Sequence, residues 1–190
     1  MRIKTIKVGE LRTNCYIAFD ESTKEGLIID PGFEIDNISK EIGDLKIKYI
    51  ILTHGHYDHV TEAFALAEAI KAPVLVHEKD EALMVFSAKK SPDKLLKGGE
   101  KLAVGSLSFE IIHTPGHSRG GICVYNKEAE ALFSGDTLFY NDHGRTDLPG
   151  SSQAEMESSL KKLLALPPQT KVYPGHGKPT TVGDEKNLLQ

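Results

Sequence analysis

The chain has 190 residues, with 23 Lys and Arg against 27 Asp and Glu and a net charge of −4. That length suits one domain, residues 1–190, with a core covering both sides of a sheet. The mild acidity, with basic residues dispersed, gives no reason to expect nucleic acid or an anionic membrane as partner. No apolar run reaches bilayer-spanning length, and the N-terminus lacks the apolar centre of a signal peptide. The expectation is a cytoplasmic protein acting on a small molecule. Cys15 and Cys123 both lie in apolar, strand-like surroundings, so buried free thiols in a reducing compartment are expected rather than a disulfide.

Residues 2–8 alternate charged and apolar, as a half-exposed strand does. Residues 14–19 and 26–29 are the next strands, the latter ending in the turn signal Asp30-Pro31-Gly32. Apolar residues at 35, 38 and 42 predict a short helix. Residues 48–52 form an apolar, β-branched strand. A helix is expected over 61–71 with Phe64, Ala67 and Ile70 on its buried stripe. A strand follows at 74–76, a helix over 78–88 and a polar surface loop over 89–100.

Gly105-Ser106 suits a tight hairpin between strands 101–104 and 107–113. Strands are expected at 121–125 and 131–134, then a loop over 137–150. Ser152-Gln153-Ala154-Glu155 is a capping-box signature opening a helix striped by Met156, Leu160, Leu163 and Leu164, which Pro167-Pro168 stops. A last strand occupies 171–173, and the tail is expected to end in a short helix from Asp184. Strand groups thus interleave with helices twice. That order reads as an α/β protein with helices covering sheet faces. An αββα sandwich and a single mixed sheet both satisfy the pattern.

The chemistry concentrates in Thr53-His54-Gly55-His56-Tyr57-Asp58-His59, directly after the apolar strand. In extended chain, residues two apart point the same way, so His54 and His56 aim at one point. Asp58 and His59, at the turn beyond, aim at a second. Three more candidate ligands each follow a strand and adjoin glycine: His117, Asp136 and His176. Imidazole and carboxylate ligands suit zinc, iron or manganese. Seven ligands are too many for one tetrahedral ion. They suit two divalent ions, zinc first, with iron or manganese as alternatives. The expected arrangement is His54, His56 and His117 on one, Asp58, His59 and His176 on the other, and Asp136 bridging. Two such ions about 3.5–4 Å apart share a hydroxide and clamp a carbonyl or phosphoryl oxygen. Of the other histidines, His77 ends a strand beside the solvated-looking Glu78, Lys79 and Asp80, His113 is placed to orient His117, and His143 lies in the long loop within reach of substrate.

The ligand motif, together with Thr114-Pro115-Gly116-His117, Ser134-Gly135-Asp136-Thr137-Leu138-Phe139 and Pro174-Gly175-His176-Gly177, resembles the metallo-β-lactamase superfamily. The resemblance covers nearly the whole chain and implies the αββα sandwich, two mixed sheets flanked by helices, with metals at one edge. Within that superfamily the chain resembles the short, glyoxalase II-like thioesterases, through residues 144–150 and 180–186. Longer glyoxalase II enzymes carry an added C-terminal helical domain that this chain does not match, and Thr61-Glu62 stands where a glycine pair is usual. Arg145 aligns with a basic residue that contacts substrate in those enzymes; an ion pair with Asp142 or Asp147 is the competing role. The resemblance implies hydrolysis of thioesters of the S-lactoylglutathione type, with Asp58 orienting the nucleophile. Rival expectations are an iron-dependent persulfide dioxygenase, a lactone or β-lactam hydrolase, and a metal-binding module without turnover.

Overall fold

The computed structural model describes residues 1–189. Its first sheet is built from β1 (Arg2–Val8), β2 (Thr13–Phe19), β3 (Glu25–Ile29), then helix α1 (Ile35–Ile42) and strand β4 (Lys46–Ile51). Helices α2 (Tyr57–Val60) and α3 (Ala63–Ile70), strand β5 (Val74–His77), helix α4 (Glu81–Ala88) and strand β6 (Lys94–Leu96) complete that half. The second half comprises β7 (Lys101–Val104), β8 (Leu107–His113), β9 (Ile122–Asn126) and β10 (Ala131–Gly135). It continues with the two-residue strands β11 (Leu138–Phe139) and β12 (Asp142–His143), helix α5 (Gln153–Leu164), β13 (Lys171–Pro174) and β14 (Thr180–Thr181).

The strands form two six-stranded sheets, ordered β1-β2-β3-β4-β5-β6 and β14-β13-β10-β9-β8-β7. Both are mixed. In the first, β1, β2 and β3 pair antiparallel and β3 to β6 run parallel; in the second, only β10 and β13 are parallel. Three apolar layers separate four layers of structure. Cys15, Ile17, Ile28, Ile50, Val74 and Val76 face α1, α3 and α4 through Ile38, Leu66 and Met84. Their neighbours Tyr16, Ala18, Leu27, Ile29, Ile51 and Leu75 point the other way, onto Val104, Phe109, Ile111, Val124 and Phe133 of the second sheet. Cys123, Tyr125, Leu132 and Val172 bury Met156, Leu160 and Leu163 of α5. The period-2 alternation of a strand buried on both faces thus selects the αββα sandwich over a single mixed sheet. Cys15 and Cys123 are buried free thiols, as expected, and burial pushes both well above the usual thiol range.

Four expectations are corrected. The polar stretch 89–100 contains the edge strand β6, Lys94-Leu95-Leu96, too short to show alternation. The helix expected over 61–71 is α3, which starts at Ala63 and buries Ala63, Leu66 and Ala67 while Phe64 and Ile70 are half-exposed. The Glu62 carboxylate, just before α3, caps α1 by accepting from the Ile35 N–H at 3.0 Å. The tail after Asp184 makes turns and no helix among the described residues. The 137–150 loop carries the small β11–β12 hairpin. At the start of α5 the capping signature holds: Ser152 Oγ accepts from the Glu155 N–H at 3.3 Å. Among the described residues no helix is long and apolar enough to cross a membrane.

Candidate metal centre

All seven expected ligands stand at the same edge of the sandwich, beyond the ends of β4, β8, β10 and β13. His54, His56 and His117 bring their ring nitrogens together in one cluster, and an Asp58 carboxylate oxygen meets ring nitrogens of His59 and His176 in another, each within 4.8 Å. His56 Nδ1 and His117 Nε2 are only 2.9 Å apart. In the second cluster, Asp58 Oδ2 is 3.3 Å from His59 Nε2 and 3.2 Å from His176 Nε2. Asp136 lies between: Oδ1 is 3.6 Å from His59 Nε2, while Oδ2 is 3.5 Å from His117 Nε2 and 3.6 Å from His176 Nε2. One carboxylate therefore touches both clusters.

The rings are braced from behind. His117 Nδ1 donates to the Arg145 carbonyl at 2.9 Å, and His176 Nδ1 to the Leu11 carbonyl at 3.3 Å. His54 Nδ1 lies 3.1 Å from Thr53 Oγ1, and His59 Nδ1 2.9 Å from Asp30 Oδ2, though poorly aligned for a hydrogen bond. Ligand histidines ordinarily have their outer nitrogen held in this way. The inner nitrogens are the opposite: His54 Nε2, His59 Nε2 and Asp136 Oδ1 are buried without a hydrogen-bond partner among the described residues. Orphaned buried polar atoms are costly and rare, and three converging on one place fit the coordination of cations there.

Electrostatics agree. Burial and the surrounding histidines push the His54 imidazole well below its ordinary value, keeping it neutral and able to donate a lone pair. Burial works against charge on Asp58, but the adjacent His176 and His59 rings and the hydrogen bond from Thr13 outweigh it and hold the carboxyl below the usual carboxylate range. Burial likewise opposes charge on His59, yet Asp30 and Asp136 raise it well above the ordinary imidazole.

Glycines permit the approach. A Cβ on Gly175 would sit 2.2 Å from Asp136 Oδ1, and one on Gly32 would sit 1.8 Å from the Asp58 carbonyl oxygen. Sequence reasoning missed the supports. Asp30 looked like a turn residue, but it is buried, accepts from the Thr53 N–H and Oγ–H at 2.7 Å each, and backs His59. Thr13 Oγ1 donates to Asp58 Oδ2 at 2.8 Å. The only signal in the sequence was Asp30 ending a buried strand beside the ligand strand, and that is no more than a turn carries.

His113 does not orient His117. It stacks on His77 instead, with ring centroids 4.0 Å apart and planes at 11°, and its Nε2 donates to the Arg119 carbonyl at 3.0 Å. His77 is buried, and so is Asp80, which was expected to be solvated. The Arg145 guanidinium grips Asp147 through Nε and Nη2 at 2.6 and 2.8 Å, which is the competing role named above. His143 Nδ1 donates to the Gly144 carbonyl at 2.8 Å.

The sequence model of the metallo-beta-lactamase superfamily matches residues 8–176. The chain belongs to the metallo-beta-lactamase superfamily. That superfamily is mostly metal-dependent hydrolases and binds divalent metal ions. The chain is 35% identical to the hydroxyacylglutathione hydrolase GloC of Haemophilus influenzae, over 98% of this chain and 95% of that one. Among solved structures it is similar to the BLEG-1 B3 metallo-beta-lactamase, with a TM-score of 0.93 and 32% identity over 100% of both chains. It is also similar to TTHA1623 in a di-iron-bound form, with a TM-score of 0.86 and 36% identity over 97% of this chain and 98% of that one. The donor set of this superfamily member fits the binding of divalent metal ions.

Proposed function

We propose that this chain is a dinuclear metal-dependent hydrolase of thioesters of the S-lactoylglutathione type, most naturally with zinc. The carrying observation is the sharing of Asp136 between a three-histidine cluster and an Asp-His-His cluster, in a chain similar end to end to a hydroxyacylglutathione hydrolase. His54, His56 and His117 would hold one ion, Asp58, His59 and His176 the other, with Asp136 between. When bound, such a pair supplies hydroxide at neutral pH and a Lewis acid for the carbonyl oxygen.

The residues of the chain then position the reactants. Asp58 has its Oδ2 committed to Thr13, His59 and His176. Its Oδ1 is left to accept a hydrogen bond from the attacking water and turn a lone pair toward the thioester carbon. A carboxylate held below its usual range orients a nucleophile better than it stores a proton. Water adds, the C–S bond breaks, and carboxylate and thiol are the products. A thiol has a pKa near about 8.5, so the sulfur departs as thiolate without a dedicated proton donor. His56 and His176 are the half-exposed ligands, so substrate enters from their side. A hollow of about 330 Å³ beside Asp58, walled by Leu11, Phe33 and Tyr57, receives its apolar part. The Nη1 edge of Arg145, left over from the fork on Asp147, and the Nε2 of His143 are proposed to meet a substrate carboxylate.

The test is thiol release from S-lactoylglutathione by protein loaded separately with zinc, iron and manganese, run beside a lactone, a β-lactam and a glutathione persulfide in an oxygen electrode. Thioester turnover exceeding all others is the expected result. Oxygen uptake with the persulfide and no thiol release would replace the hydrolase by a dioxygenase. A fully loaded protein inert to the whole panel would leave a metal-binding module.

A further inference from the structure

Asp80 stands at the N-cap of α4. An aspartate in that place ordinarily turns its carboxylate onto the first free N–H groups of its own helix. Asp80 makes no such bond. Its Oδ2 accepts from the Gly55 N–H at 2.9 Å, and its Oδ1 from the Gly120 N–H at 2.6 Å. Gly55 lies between His54 and His56; Gly120 follows His117 by three positions. A single carboxylate, 1% exposed, thus ties together the two loops that carry every ligand of the first cluster. We propose that Asp80 is the positioning residue of that cluster, setting the separation at which His54, His56 and His117 meet around one divalent cation. The inference rests on the ligand assignment above and not on the identity of the substrate.

The surroundings allow little play. A Cβ on Gly55 would lie 2.7 Å from the Met84 nitrogen, and one on Gly120 would lie 2.6 Å from the Asp80 nitrogen. Both loops are therefore pressed directly against the start of α4. Bonds from amides to a buried carboxylate are charge-assisted, short and directional, so the distance between the two loops is set by the span of one carboxylate. The 2.9 Å approach of His56 Nδ1 to His117 Nε2 occurs across the gap so set. The second cluster has separate supports, namely Thr13 for Asp58, Asp30 for His59 and the Leu11 carbonyl for His176. None of these contacts involves Asp80. A general loss of stability would weaken both clusters; loss of this clamp weakens one.

The experiment uses the full chain stripped of metal, as wild type, Asp80→Asn, Asp80→Ala and Leu163→Ala. Asparagine keeps the shape but turns an N–H against one of the two donors; alanine removes both acceptors. Leu163→Ala opens the core under α5 and supplies a destabilised control. Zinc affinities come from competition with a chromophoric chelator. A cobalt(II) titration followed by proton NMR identifies the imidazoles holding each ion from their shifted ring N–H signals. Expected are two zinc ions in wild type and, in Asp80→Asn, one site weakened by about 10–100-fold, with the missing cobalt-shifted signals belonging to His54, His56 and His117. Asp80→Ala should weaken that site further, while Leu163→Ala lowers the melting temperature and moves both affinities together, leaving their ratio as in wild type. Wild-type affinities in Asp80→Asn, or parallel weakening of both sites, would overturn the clamp. Fewer than two ions in wild type would overturn the ligand assignment instead.

Discussion

The molecule contains two groups of packed histidines, and they differ in where their nitrogens point. His77 and His113 lie flat on one another, 4.0 Å apart. His77 accepts the Lys79 N–H on Nδ1 and faces the Lys97 carbonyl through Nε2, so both its nitrogens are used. In the other group His54, His56, His59, His117 and His176 meet at steep angles, 55° between His54 and His59 and 85° between His54 and His56. There, three of the five rings, His54, His117 and His176, have an outer nitrogen hydrogen-bonded to an oxygen, and the inner nitrogens face one another. Burial and clustering are common to both groups. Unspent lone pairs aimed at one place separate a candidate metal centre from a satisfied structural pair.

The sharpest test of that contrast is Asp58→Ala. It should lower thioester turnover by about 10²–10⁴-fold while metal analysis shows only partial loss, because His59, His176 and Asp136 stay in place. Unchanged turnover would remove Asp58 from the chemistry. Next comes Asp30→Asn, which alters the oxygens behind Thr53 and His59. Chelator competition should show the second site weakened by about 10–100-fold, with the His54-His56-His117 site less affected.

On the other side of the comparison, His77→Ala removes a stack and two backbone contacts. It should cost about 1–3 kcal/mol in a denaturant melt and leave metal content as in wild type; a fall in metal content would erase the distinction between the groups. The smallest effect is in pH. Burial, with His77, Lys79 and Lys162 nearby, holds His113 below its ordinary value despite the bond to the Arg119 carbonyl. The unfolded chain therefore binds the proton more readily, and stability contributed by the neutral ring is lost as pH falls below about 6.5. The melting temperature should drop less between pH 7 and pH 5.5 in His113→Asn than in wild type, both measured metal-free.

Much of this was legible in the residue order. Local signals carry far when each is enforced by short-range sterics or burial. The apolar runs at 14–19, 26–29 and 131–134 could be nothing but buried strands, and Ser152 with Glu155 marked the start of α5. The ligand positions stood out because His and Asp after a strand and beside glycine is a costly arrangement to keep without use. Edge strand β6 was not legible, since a strand half in solvent with lysines needs its neighbour β5 to define it. Nor was the buried face of α3, where Ala63, Leu66 and Ala67 are buried while Phe64 and Ile70 are half-exposed.

By itself, the sequence determined the class of fold, the family resemblance and the identity of seven residues able to hold cations. Only the tertiary structure decided which nitrogens face inward, that Asp30 and Thr13 support the centre, that His113 serves His77, and that Asp80 joins two loops from different halves of the chain. The reason is physical. Residue type and spacing specify what a side chain is able to do, whereas a hydrogen bond between groups remote in sequence exists only once the sheets have packed and brought them within 3 Å.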